Sequence, residues 1–208
     1  MKHIDHMAVR DLKTETAPLA WSDFESLMSK LTYTAQVGGE TSLYRMLLFA
    51  AVTTYGGLRA GDVLKLKWVD ILDKKCITIK EGKTGKVREI ALNTNLLCII
   101  QLSYQLAIPS SNDHYIIPSA SSYGRNPLSL QYMNRWLKSI FKRFGITTQN
   151  GSTHTFRKTF GRRVFEINNR SEEALITLSQ VFNHSSIAIT RAYIGLKKEK
   201  IADVYMSL

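Results

Sequence analysis

Apolar side chains first recur at helical spacing in AWSDFESLMSKL, where Ser22 or Asp23 can cap the start of a helix. Between Thr41 and Tyr55, the positions Leu43, Leu47, Ala50, Ala51 and Thr54 form one nearly continuous small or apolar face. That spacing predicts a buried central helix, stopped by Gly56 and Gly57. The period then changes to two. KKCITIK and KVREIAL alternate apolar and polar residues on either side of EGKTG, whose glycines allow a tight turn, so a hairpin with Lys83 at its tip is predicted. Helical spacing resumes from Asn93 to Ala107 and stops before Pro109, and HYIIP reads as a third short strand. The remainder predicts helices over roughly Pro127–Phe144, Thr153–Asn168, Ser171–Phe182 and Ile187–Tyr193, with a final turn or two after Lys197. No internal repeat or low-complexity linker interrupts the pattern. The expected fold is an α-rich mixed α+β one, a helical domain with a small antiparallel β-sheet. Residues 1–17 read as an N-terminal tail and 18–208 as one domain, whose own tail begins at about 197.

Charge narrows the class of partner. Lysine and arginine number 28 against 17 aspartate and glutamate, a formal charge of +11, which favours a polyanion. Nucleic acid and an anionic membrane both qualify, but no apolar run approaches the ~20 residues of a membrane span. The start, MKHIDHMAVRDLKTE, lacks the apolar stretch of a signal peptide. A soluble cytoplasmic protein is expected. Cys76 and Cys98 lie in apolar segments without metal-ligand spacing, so they read as buried free thiols and not as a disulfide or zinc site.

Four short clusters hold groups suited to phosphate chemistry: GLRAGDVLKLKW around Arg59, KTGK around Lys83, HTFRKTFGRR around His154 and Arg157, and FNHSSIAITRAYIG around His184 and Tyr193. His154 and Arg157 stand three apart on a predicted helix and share a face, so an imidazole and a guanidinium can reach one anion. Each residue alone also has an ordinary explanation. Arg59 can be a turn residue paired with Asp62, Lys83 a solubilising hairpin lysine, His154 and His184 helix caps, Arg157 a solvated charge and Tyr193 a packing residue. The case lies in their order.

In chain order these clusters resemble the tyrosine recombinases of the phage integrase family. The shared features are an arginine in a G-L-R turn, a lysine on a β-hairpin, an H-x-x-R pair, a histidine in an x-H-S-S segment and then a tyrosine. The interval of nine positions from His184 to Tyr193 is similar to the family's, and the likeness covers about Pro18 to Gly195. Two departures stand out. Phe182-Asn183 occupies the place where the family usually has Leu-Gly, and no counterpart of the N-terminal DNA-clamping domain of larger members is evident. Both a small member with little beyond the catalytic domain and a piece of a longer integrase fit that description.

The resemblance implies a catalytic domain of the DNA breaking-rejoining enzyme type, over 18–208, acting on double-stranded DNA. It implies Tyr193 as nucleophile, Arg59 and Arg157 as the phosphate cradle, His154 in acid–base assistance, His184 bonding to the phosphate and Lys83 protonating the departing 5′-oxygen. A homotetramer on paired sites and DNA-bending accessory proteins belong to the same expectation. No metal or other cofactor is expected, because two arginines and a lysine supply the positive charge a cation would bring. Lys86, Lys158, Arg162 and Arg163 are either contacts to flanking phosphates or merely solvated charges. Tyr205, in an apolar stripe with Ile201 and Val204, reads as a packing residue, against a neighbouring subunit if family habit holds. Type IB topoisomerase-like relaxation and a non-catalytic DNA-binding regulator are the alternatives on the same scaffold, with a metal-dependent nuclease behind them.

Overall fold

The computed structural model describes residues 16–196 and 205–206. The expected tail over 1–17, apart from its last two residues, and the turns expected after Lys197 lie outside the described residues, except that Tyr205 and Met206 are helical. Tyr205, read as a packing tyrosine, is 75% exposed.

Helix α2 (Tyr44–Gly56) is the centre of the fold, entered through a 3-10 turn at Thr41–Leu43. From Met46 to Thr54 every residue is buried, as the small and apolar face predicted, and α2 packs against α1 (Trp21–Gln36), α5 (Thr94–Ala107) and α7 (His154–Ile167). Helix α1 contributes Phe24, Leu27, Met28, Leu31 and Ala35 at the spacing of one face. Its cap differs from expectation. The hydrogen-bonded register already begins at Ala20, whose carbonyl accepts from Phe24, so Ser22 and Asp23 fall inside the first turn and neither caps it.

After the one-turn helices α3 (Ala60–Val63) and α4 (Trp68–Ile71) comes the hairpin, β1 (Cys76–Lys80) and β2 (Val87–Ala91), antiparallel with Cys76 opposite Ala91 and Lys80 opposite Val87. Ile77 and Ile79 point inward, so the alternation turns Cys76 outward; Cys98 likewise lies on the outer side of α5. Both thiols are therefore free but exposed, and the expectation of buried thiols fails because each falls on the solvent phase of its element's period. The HYIIP strand is also corrected. Tyr115 makes only an isolated bridge to Lys67, and Pro118 only one to Pro127, where neither proline has the N–H that a ladder requires. The Pro118–Pro127 bridge also delays the next helix, so α6 spans Leu130–Phe144 behind a Ser129 cap.

Helices α7, α8 (Glu172–Phe182) and α9 (Ile187–Tyr193) complete the described chain, with Ser171 and Ser186 capping the last two. Two apolar clusters result. The larger surrounds α2, while a smaller one gathers Phe165, Ala174, Leu175, Leu178, Phe182 and Ile194. Helix α7 joins them: its Phe156 ring meets Phe24, Phe49 and Phe141 in the first, and its Phe165 lies in the second. Among the described residues no helix is long and apolar enough to cross a membrane.

Candidate active site

Arg59 reaches the site because α2 ends sharply. Gly57 adopts φ 58°, and a Cβ there would meet the Phe160 ring at 2.6 Å, so both conformation and space require glycine. Arg59 follows as the residue before α3. Its Nη1 lies 2.5 Å from Oε2 of Glu81, not from the Asp62 suggested by sequence; Asp62 instead accepts a hydrogen bond from the Gly82 amide at 2.9 Å. Glu81 sits at the start of the hairpin turn with a side chain only 1% exposed, and also holds Arg88 at 3.0 Å and the Thr84 hydroxyl at 2.7 Å.

The second arginine comes from the first turns of α7. That end is fixed by Asn134 of α6, which accepts from the Thr153 amide at 2.9 Å, and by the Ser152 hydroxyl, which accepts from His154. Arg157 is buried; Nη1 donates to the Gly57 carbonyl at 2.6 Å and Nη2 to the Phe182 carbonyl at 3.3 Å. Arg59 Nη2 donates to that same Phe182 carbonyl at 3.2 Å. Two guanidiniums from distant segments thus converge on one oxygen.

The remaining candidates close around them. Tyr193 ends α9, with Oη 3.5 Å from His154 Nδ1. His184 Nδ1 lies 3.0 Å from the Thr190 hydroxyl, leaving Nε2 as the nitrogen to meet a ligand, and its ring stands edge-on to Tyr193 with centroids 5.1 Å apart. Lys83 is exposed at the hairpin tip, near enough for its charge to lower the pKa of both histidines.

Electrostatics follow from that crowding. Burial, then the charges of Arg157, Lys158, Lys83 and Arg59, lower the pKa of His154; burial, Arg157, Arg59 and Lys83 do the same to His184. Both rings are therefore neutral at pH 7 and able to accept a proton. Burial raises the pKa of Tyr193, opposed by the charge and hydrogen bond of Arg157 and the charge of Arg59. Burial depresses Arg157 to about 10, which leaves it charged at neutral pH. Burial also disfavours ionised Glu81, but its contacts with Thr84, Arg59 and Arg88 outweigh this and hold its carboxyl at about 2.

The four flanking cations divide. Lys158 is 5% exposed with Nζ 4.9 Å from the Tyr193 ring centroid, so it belongs to the site itself. Lys86 donates to Asn183 Oδ1 at 2.6 Å, joining the hairpin to the α8–α9 turn. Arg162 is engaged by Glu166 at 2.6 Å, and Arg163 lies over the Trp21 ring at 4.7 Å. Sequence reasoning missed Glu81 and the part played by Phe182. The only signals were a carboxylate inside a basic turn and an aromatic where the family pattern has leucine. Among the described residues no group of three or more His, Cys, Asp or Glu is placed to hold a metal ion.

Comparison with known proteins identifies the family. The model of the "Phage integrase family" matches residues 19–200. The chain is 30% identical over 148 residues to the "Probable integrase/recombinase YoeC" of Bacillus subtilis (strain 168), covering 71% of this chain and 76% of that protein. In fold it is similar to the crystal structure of XerA recombinase, with TM-score 0.68, 21% identity and 93% of this chain covered. It is similar also to XerH site-specific recombinase bound to palindromic difH substrate in a post-cleavage complex, with TM-score 0.62, 17% identity and 91% covered. The chain spans 65% and 52% of those two solved chains. The helical fold with its small antiparallel hairpin, the ordered motif and the family match lead to one assignment: this chain belongs to the phage integrase family, the tyrosine-type site-specific recombinases.

Proposed function

We propose that this chain cuts and rejoins double-stranded DNA at specific sites, with Tyr193 as nucleophile. The observation that carries the reading is the convergence of Arg59 and Arg157 on one carbonyl oxygen beside the Tyr193 hydroxyl. A phosphodiester resists attack because its non-bridging oxygens are negative and its alkoxide leaving group is basic. Two guanidinium forks answer the first difficulty, giving paired hydrogen bonds to those oxygens while staying charged. His154, neutral and 3.5 Å from Tyr193, takes the phenol proton as Oη bonds to phosphorus. Lys83 delivers a proton to the departing 5′-oxygen, and His184 Nε2 bonds to the phosphate. The product is a 3′-phosphotyrosyl bond and a free 5′-hydroxyl. Attack by a 5′-hydroxyl of a partner strand reverses the step, and because the covalent bond retains the phosphodiester's energy no nucleotide is consumed.

Integration, excision and inversion are all exchanges of this kind. We assign the chemistry to the domain over 18–208, acting in the cytoplasm as a homotetramer on paired sites with any bending proteins those sites require. Lys86, Arg162 and Arg163 are assigned to the phosphates around the cleaved one, and Lys158, buried against the Tyr193 ring, to the cleaved phosphate's own surroundings. The test is a nicked DNA site that loses a short fragment on cleavage. A denaturing gel should show a protein–DNA adduct that survives EDTA and is absent from Tyr193→Phe; an adduct in the Phe variant sinks the assignment.

A further inference from the structure

Phe182 is connected to the site through both its main chain and its side chain. Its carbonyl is the oxygen on which Arg59 and Arg157 converge. Its fully buried ring stands 4.6 Å from the Arg157 guanidinium carbon, 5.2 Å from the Tyr193 ring at 67° and 5.3 Å from the His184 ring. One side chain therefore touches a guanidinium, a phenol and an imidazole of the site. Across from it, α7 carries Gly161. A Cβ at that position would meet Phe182 Cε2 and Cζ at 2.8 Å and Ile194 Cγ2 at 2.7 Å, closer than such atoms approach. The ring lies in a notch on α7 that exists because residue 161 has no side chain. A leucine at 182, the residue usual in the family by resemblance, would not fill that notch.

We propose that Gly161 and Phe182 are a size-matched pair that positions Tyr193 and the two arginines for cleavage. Neither touches the phosphate; both act through the pose of the residues that do. Shrinking Phe182 empties the notch and frees the Tyr193 ring. A methyl at residue 161 drives the Phe182 ring outward, carrying with it the carbonyl that gathers the arginines. The two changes together exchange one large–small match for another. This inference rests on the recombination reading above.

The experiment is a double-mutant cycle on single-turnover cleavage of the nicked site by Gly161→Ala, Phe182→Leu and the double variant. DNA binding is measured alongside, at a temperature where circular dichroism shows each protein folded. Each single variant should bind DNA within about twofold of the parent but cleave about tenfold or more slowly, the scale of rate loss that sub-ångström to ångström misplacement brings. The double variant should recover to within about threefold of the parent, a non-additivity expected only of residues in contact. Folded single variants that cleave at the parental rate, or that lose binding in step with cleavage, overturn the proposal. So does a double variant as slow as the slower single one. Should a single variant fail to fold, a folded and active double variant still supports the pair, while an unfolded double overturns it. A parent that forms no Tyr193 adduct overturns the recombination reading, and that failure is seen before any variant is made.

Discussion

A single carboxylate, Glu81, pairs with two arginines at the start of the hairpin turn and so fixes where Arg59 points. Its pKa, about 2 against an ordinary 4.5, means that the folded state holds it ionised more strongly than the unfolded chain does. The stability this contributes is complete above about pH 4.5 and is lost as pH falls toward 2. Glu81→Gln mimics the protonated form, so at pH 7 it should lower the unfolding free energy by on the order of 3 kcal/mol. Urea denaturation across that pH range should show the difference between parent and variant vanishing on the acid side, and a gap independent of pH would contradict the ion-pair account. The candidate side chains Arg59, His154 and Tyr193 can be picked out of the sequence because their order and local setting form a pattern along the chain. Glu81 was not, because a buried ion pair is created by tertiary approach and leaves no spacing rule. The sequence suggested Asp62 for Arg59, three positions away on the chain, while the fold supplies Glu81 from the hairpin turn, beyond α3, α4 and β1.

The hairpin and the α8–α9 turn meet through Lys86 and Asn183. Asn183 ends α8 at φ 54° and ψ 50°, the left-handed conformation that glycine adopts without strain and that asparagine tolerates better than most residues. Asparagine at 183 thus fits this left-handed turn and adds a side-chain link to the hairpin that bears Lys83. Asn183→Ala should lower stability by about 1 kcal/mol while Asn183→Gly stays within about 0.5 kcal/mol, read by thermal or urea unfolding. Equal losses from both would show that the Lys86 bond, and not backbone conformation, dominates at this position. Elements with a long unbroken period, such as α2 and α5, could be read directly from the chain. HYIIP could not, since whether an extended segment joins a sheet depends on which neighbour offers free N–H and carbonyl groups, and here one of its two bridges pairs proline with proline.

At the scale of the whole molecule, a +11 chain gathers six candidate catalytic groups from the α2–α3 turn, the hairpin, α7 and the α8–α9 region. Composition and charge pointed to a nucleic-acid partner, and the motif order to the fold, but the division of the interior into two clusters was invisible because both are built from the same residue types. That division has a consequence for motion. The helix bearing Tyr193 rests on the smaller cluster, which among the described residues shares only α7 with the larger one. Opening that smaller unit exposes far less apolar surface than unfolding the α2 core, so backbone amides of α8 and α9 should exchange with deuterium well before those of α2. Simultaneous exchange of all three helices would mean that the interior behaves as one unit. Opening of that smaller unit would carry Tyr193 and the Phe182 carbonyl away together, while Glu81 and the Gly57 carbonyl keep Arg59 and Arg157 anchored to the part that stays folded.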